Sequence, residues 1–149
     1  MSRFITRITS CEGAALCSEW KISENEDFFR DHFEGMPIVP GLVMLESMIS
    51  AATWLARARN DFNVVSFRLA ELSNYKLPKS ARPGDVLKVK VEMLNSDSQN
   101  FRVKGRAEVN GQSTAQGIFS LVEQPARNEH DVVFYRDQCR NNFQELLSR

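Results

Sequence analysis

The sequence has few cysteines, no excess of either charge and no long hydrophobic run. Its three cysteines, Cys11, Cys17 and Cys139, cannot all pair with one another, and none lies in the C-x-x-C spacing of a zinc or redox site. Residues 1–10 lack the apolar run and the small-residue cleavage site of a signal peptide. We therefore expect a cytoplasmic protein with reduced, unremarkable thiols.

The absence of net charge also excludes a class of partner. Nineteen basic residues balance nineteen acidic ones, whereas a dedicated nucleic-acid binder carries a basic excess to neutralise phosphates. The longest apolar stretch, residues 41–55, is interrupted by polar residues and is shorter than the ~20 residues of a membrane span. With 149 residues, 42% of them hydrophobic, the chain is predicted to be one globular domain without a membrane span.

The strongest local pattern predicts a helix over residues 41–59. This segment follows Pro40, is rich in Leu, Met and Ala, and ends with Arg57 and Arg59, which favour a helix C-terminus. Apolar residues occupy nearly every side of it, so we expect it to be covered all round. In a small domain, one way to cover such a helix is to wrap a sheet about it.

The rest of the chain predicts strands. Alternating patterns and turn signals favour strands over residues 4–8, 14–22, 64–69, 72–77, 86–94, 101–109 and 112–121, with Asn110-Gly111 as a hairpin turn. Consecutive antiparallel strands behind one long helix indicate an α+β architecture. We expect this domain to occupy residues 1–122. Residues 123–149 form an extension, whose spacing over 130–147 indicates an amphipathic helix packed on the domain or on a partner chain.

Two side chains are candidates for acid–base chemistry. Glu46 is the only acidic residue between Val39 and Asn60, on a helix with apolar neighbours. A buried carboxylate costs several kcal/mol, so it must be paired, protonated or open to a cleft, unless it simply surfaces at one end of the helix. His32 begins the Pro- and Gly-containing loop that leads into this helix. It is either structural or, with Glu46, one half of an acid–base pair, because imidazole exchanges protons near neutral pH.

The start of the helix supplies a third element. Gly41 and Leu42 have amide N–H groups that no residue within the helix can satisfy. A helix N-terminus favours developing negative charge, and glycine allows close approach of a ligand. Glu46 follows Gly41 by five residues, about 7.5 Å of rise, so both are within reach of one substrate. The alternative is an ordinary helix start capped by water.

Together these residues resemble a known family. Residues 28–48, FFRDHFEGMPIVPGLVMLESM, match without a gap the FF..HF.G.P..PG....E.M signature of the 3-hydroxyacyl-(acyl-carrier-protein) dehydratases of type II fatty-acid synthesis. Weaker similarity continues through residues 82–87 and the strands to about residue 121. The last 25 or so residues lie outside the usual pattern.

The resemblance implies a hotdog fold, a curved antiparallel sheet wrapped around one central helix. It implies a hydro-lyase that needs no cofactor or metal and converts (3R)-3-hydroxyacyl thioesters on acyl carrier protein to trans-2-enoyl thioesters. It also implies a homodimer in which His32 of one protomer faces Glu46 of the other, and trimers of such dimers are frequent in the family. By the same resemblance, the Gly41 amide holds the thioester carbonyl and the Leu42 backbone orients His32. We expect the acyl chain to lie in a tunnel between sheet and helix, walled by Phe33, Val39, Leu42 and Phe67.

Three positions depart from the family pattern and leave two alternatives open. Asp31 stands where the family commonly has glycine, Glu34 where it has proline, and Ser50 where it has glutamine. We expect Ser50 to lie near the substrate. One alternative is a hotdog thioesterase, which would use the helix carboxylate to activate water. The other is a non-catalytic acyl-binding or assembly subunit. For the dehydratase, the acidic carrier protein is expected to meet the basic side chains of Lys76, Lys79 or Arg82.

Overall fold

The computed structural model describes residues 3–30, 35–63, 66–97, 99–126 and 128–149. Its strands are β1 (Arg7–Glu12), β2 (Ala15–Lys21), β3 (Ser66–Lys76), β4 (Val86–Ser96), β5 (Asn100–Val109) and β6 (Gln112–Gln124). Its helices are α1 (Gly41–Arg59) and α2 (Glu129–Ser148), with a short 3-10 turn at Asp27–Phe29. In the described residues all three cysteines are free.

The six strands form one antiparallel sheet in the order β1-β2-β4-β5-β6-β3. The hairpin between β5 and β6 turns at Asn110 and Gly111, whose φ angles of 51° and 78° are those that an Asn-Gly turn tolerates. The predicted α+β architecture, an antiparallel sheet around one long helix with an additional C-terminal helix, is confirmed.

Helix α1 packs closely on one face of this sheet. At Gly105 of β5, an added Cβ would lie 3.0 Å from Met48 Sδ and 3.0 Å from Phe119 Cε1. The side chains of α1 that turn inward are 0–4% exposed: Met44, Leu45, Ser47, Met48, Ala51, Ala52, Trp54, Leu55 and Ala56. A glycine in the middle of β5 therefore lets α1 approach the sheet and fixes the height of the helix above it.

The expectation that α1 is covered all round is wrong for a single chain. Its opposite face stays open, and Leu42 is 73% exposed there. The sheet covers only one side of α1. Its last strand, β3, is an edge strand, and apolar side chains there are not covered by the helix either. Leu69, Leu72 and Leu77 of this edge region are 37%, 39% and 50% exposed.

Two strand predictions also differ from the structure. Residues 66–76 form one strand rather than two, because irregular pairing with β6 between Leu69 and Glu71 and between Ser73 and Lys76 absorbs the apparent breaks. The first strand starts at Arg7, not at Phe4. Phe4 has a left-handed φ of 63° and packs edge-on against Trp20, with ring centroids 4.8 Å apart.

Helix α2 folds back onto the end of α1 that lies away from Pro40. Phe143 packs on Trp54 and Phe62, with centroid distances of 5.9 and 5.4 Å. Arg140 adds an ion pair with Asp61 at 3.3 Å. The extension is thus helical and packed on its own chain, whereas its division from the domain at residue 122 stays a prediction. Within the residues the structure describes, neither helix has the length and apolarity to cross a membrane.

We expect Gly105→Ala to lower the free energy of unfolding by about 1–3 kcal/mol, because the new methyl group overpacks the contact with Met48 and Phe119. Lys104→Ala, on the exposed face of the same strand, should change it by less than about 0.5 kcal/mol. Urea denaturation at matched protein concentration measures both. Equal midpoints for the two variants would contradict the close approach of α1 at Gly105.

Candidate active site

The described part of the predicted site lies on the loop that enters α1 and on the first turns of the helix. It consists of Val39, Gly41, Leu42, Glu46 and Ser50. His32 and Phe33 lie outside the described residues, as do Asp31 and Glu34, so their predicted roles stay predictions. The start of α1 itself lies within the described residues.

Two backbone donors are left open at the start of α1. Pro40 is the N-cap, with φ −58° and ψ 142°, and no side chain caps the helix. The Val43 amide already donates to the Pro40 carbonyl at 2.9 Å. For Gly41 and Leu42, the described residues provide no acceptor. These two amides lie at the positive end of the helix dipole, where a negatively charged hydrogen-bond acceptor is favoured.

One face of α1 carries three of the predicted residues. Leu42, Glu46 and Ser50 follow one another at a spacing of four residues, so they form a single stripe along the helix. Glu46 is exposed to solvent in the single chain and Ser50 is half-buried. The carboxylate of Glu46 therefore avoids the cost of burial by facing solvent rather than the sheet.

The proposed tunnel residues do not share one environment within a single chain. Val39 is 2% exposed, and its amide donates to the Ala81 carbonyl at 2.8 Å, whereas Leu42 is exposed. Phe67 packs edge-on against Phe101 at a centroid distance of 5.3 Å. A single chain thus leaves Leu42 outside any enclosed space, and the tunnel stays a prediction that needs a second wall.

Sequence reasoning missed two side chains that contact the start of α1. The Tyr75 hydroxyl donates a hydrogen bond to the Gly41 carbonyl. Leu77 covers the same glycine, since a Cβ added at Gly41 would lie 2.5 Å from Leu77 Cδ1. Neither residue belongs to the signature segment, and only the pairing of β3 with β6 brings them to the helix, so the local pattern gave no signal of either contact.

A surface groove of about 740 Å³ lies beside the entry to α1. Arg30 and Gly35 line it, and Pro37, Arg82 and Pro83 complete the wall. Glu24 and Glu26 contribute carboxylates. The groove is open to solvent, and charged and apolar side chains contribute to its lining in similar measure.

Comparison with known proteins identifies the family. The family model of the FabA-like domain matches residues 2–118. The chain belongs to the FabA-like family. Curated relatives in this family include the 3-hydroxyacyl-(acyl-carrier-protein) dehydratase FabZ of Anaeromyxobacter sp., which is 31% identical over 123 residues, 79% of this chain and 78% of that protein. The enzyme of the same name from Levilactobacillus brevis is 35% identical over 97 residues, 65% of this chain and 66% of that protein.

Solved structures agree on the fold. The dehydratase heterocomplex ApeI:P from Xenorhabdus doucetiae superposes with a TM-score of 0.69 at 13% identity, over 90% of this chain and 89% of the matched one. The PaaI protein of the Escherichia coli phenylacetic acid degradation operon gives a TM-score of 0.63 at 8% identity, over 80% and 79%. At such identities the likeness concerns the fold alone. The resemblance to the dehydratases and the predicted hotdog fold of this FabA-like chain are both confirmed.

We expect Gly41→Ala and Leu77→Ala to be coupled in stability. In the wild-type background the new methyl group must displace Leu77, whereas in the Leu77→Ala background it has room. A double-mutant cycle by urea denaturation should therefore give a coupling energy of at least about 0.5 kcal/mol, the usual lower bound for residues in contact. Additive effects would show that Leu77 does not cover the start of α1.

Proposed function

We propose that this FabA-like chain dehydrates (3R)-3-hydroxyacyl thioesters, carried on acyl carrier protein, to trans-2-enoyl thioesters. The single observation that carries the proposal is the start of α1, where the open amides of Gly41 and Leu42 lie about one helical turn before the outward-facing Glu46. Family membership and the dehydratase relatives support the same hydro-lyase chemistry.

The reaction needs two proton transfers and one stabilised charge. The thioester carbonyl accepts a hydrogen bond from the Gly41 amide, which stabilises the enolate-like charge that forms when the C2 proton leaves. His32 takes that proton. The C3–O bond then breaks, and the proton that His32 has taken from C2 is passed on through Glu46, directly or through water, to the departing hydroxyl. The hydroxyl leaves as water and both side chains return to their starting states. One open amide of this kind is worth ~3–4 kcal/mol in the transition state.

The second wall of the site comes from a second copy of the chain. The exposed leucines of the β3 edge and Leu42 of α1 form one apolar surface, here called the β3 face and defined by Leu42, Leu69, Leu72 and Leu77. An exposed edge strand with apolar side chains is the kind of surface that pairs with another chain. Burial of this face in a homodimer covers the open side of α1 and brings His32 of one protomer to Glu46 of its partner.

The carrier protein approaches beside the groove. Arg30 and Arg82 both line the groove, while Lys76 ends β3 and Lys79 lies on the connection that follows it. These cations complement the acidic surface expected of acyl carrier protein. Such an encounter with a soluble carrier takes place in the cytoplasm, the location that the sequence predicts.

We expect His32→Ala and Glu46→Ala each to lower kcat by about 10²–10⁴-fold, because each removes a positioned acid–base group. His130→Ala and Glu129→Ala, exposed neighbours at the start of α2, are matched controls and should retain wild-type turnover. Enoyl-thioester formation from a panel of 3-hydroxyacyl thioesters of graded length, on both acyl carrier protein and coenzyme A, measures this.

Three outcomes would contradict the assignment. Near-wild-type turnover of either variant would remove that residue from the chemistry. Release of free thiol from acyl thioesters, without enoyl product, would indicate the thioesterase. Tight binding of acyl thioesters by the wild type without any turnover would indicate the non-catalytic subunit.

We expect the two inactive variants to restore activity when they are mixed and allowed to exchange subunits. Half of the re-paired dimers are then mixed, and each mixed dimer holds one site with both His32 and Glu46, so about one quarter of the wild-type activity should return. Enzyme assay after refolding the mixture measures it. Leu72→Lys should produce monomers in sedimentation, whereas Leu94→Lys, an exposed leucine on β4 away from the β3 face, should not.

No recovery from a mixture that does re-pair would mean that each site is built within one chain. A dimer that survives Leu72→Lys would place the interface elsewhere on the molecule. Either result leaves the dehydration assay above as the independent test of the reaction itself.

A further inference from the structure

An irregularity in β3 turns one side chain toward α1. Ser73 and Lys76 pair with Ile118 and Gln116, so β3 holds one more residue than β6 across this stretch. Asn74 takes up the irregularity with a left-handed φ of 52°, a conformation that Asn tolerates better than most residues. Such bulges redirect the side chains beside them, and here the redirected residue is Tyr75.

A glycine on the neighbouring strand makes room for the ring. A Cβ added at Gly117 of β6 would lie 3.2 Å from Tyr75 Cδ2 and 3.5 Å from its Cα. A larger residue there would push the ring away from the sheet. The bulge and Gly117 together lay the ring across β6, with its hydroxyl directed at the first turn of α1.

The Tyr75 hydroxyl hydrogen-bonds the backbone of that turn. It donates to the Gly41 carbonyl, and the backbone of Leu45 also hydrogen-bonds it. Burial of the half-buried side chain raises the pKa of Tyr75 to about 12, although the Leu45 hydrogen bond acts in the opposite direction. The phenol therefore remains neutral, and able to donate, through the whole neutral and mildly alkaline range.

The bond acts on the peptide group that carries the second open amide. The Gly41 carbonyl and the Leu42 N–H belong to one planar unit, so a hydrogen bond to the oxygen holds the plane and polarises the N–H. The Gly41 amide is attached to the same Cα and is held with it. With no side-chain cap on α1, Tyr75 is the side chain that the structure brings to this peptide by hydrogen bonding.

We propose that Tyr75 is a positioning residue, whose hydroxyl fixes the first peptide of α1 and so aims the Gly41 amide at the thioester carbonyl. The inference rests on the proposed function for its chemistry, and on geometry alone for the contact. Tyr75 touches no reacting atom in this scheme and acts through the backbone.

The first test compares Tyr75→Phe with Tyr135→Phe, which removes the hydroxyl of the other tyrosine, on α2. Tyr75→Phe keeps the ring on Gly117 and should lower kcat and kcat/KM together by roughly 3- to 10-fold, the value of one hydrogen bond, with KM nearly unchanged. Its Leu42 amide proton should also move in the NMR spectrum, because the peptide is no longer polarised. Tyr135→Phe should change neither quantity.

The second test keeps the side chain and changes its acidity. In a Tyr135→Phe background, 3-fluorotyrosine incorporated at position 75 ionises at a lower pH than tyrosine, and its phenolate absorbance reports when it does. Because the phenolate cannot donate, kcat should fall along the same titration curve. The unlabelled protein, in which the pKa of Tyr75 is about 12, should keep its activity over that range. This test holds even if Tyr75→Phe fails to fold.

The outcomes separate this inference from the proposed function. An unchanged kcat in Tyr75→Phe, or activity that persists through ionisation of the fluorotyrosine, overturns the positioning role while the dehydratase stands. If the wild type shows no dehydration, the proposed function fails, and the NMR shift of the Leu42 amide proton then tests the hydrogen bond from Tyr75 to Gly41. A shifted resonance in Tyr75→Phe supports that hydrogen bond, and an unshifted one overturns the inference.

Discussion

The close packing of α1 on the sheet is the constraint on which the rest of the molecule depends. Because Gly105 has no side chain, Met48 and Phe119 meet there and the helix lies low on β5. Its buried side then faces the sheet, which forces Leu42, Glu46 and Ser50 onto the opposite side. The position of the open amides at the start of the helix follows from the same packing, since a rigid helix fixed at its centre has fixed ends.

Under the proposed function, a single chain of this FabA-like protein holds only half of a site. The sheet has two edge strands: α2 packs against β1 at one edge, whereas β3 at the other edge leaves apolar side chains uncovered. Full burial of an exposed leucine contributes about 1.5–3 kcal/mol, and because these side chains are only partly exposed, covering each of them contributes a fraction of that. In the proposed homodimer, the partner covers these leucines and supplies the second wall of the substrate site.

Much of the fold was predictable because its signals are local. Pro40-Gly41 marks the start of α1, alternation marks β4 and β5, and Asn110-Gly111 marks a turn. The signature segment identifies the family by residue type alone. Contacts between distant segments were not predictable in this way. The outward orientation of Glu46 depends on which side of α1 the sheet occupies. The hydrogen bond from Tyr75 depends on an extra residue in β3, which the alternation of apolar and polar residues does not reveal.

The attachment of α2 has a consequence for how the protein tolerates change. Phe143 and Arg140 hold it to Trp54, Asp61 and Phe62, at the far end of a 19-residue helix that is about 28 Å long. The end of α2 runs back along the domain, where Arg149 donates to the Thr6 carbonyl, close in sequence to Phe4, whose own carbonyl accepts from Ser47 of α1. Under the proposed function, changes around Phe143 are therefore separated from the chemistry by most of the length of α1, whereas changes at Arg149 are not.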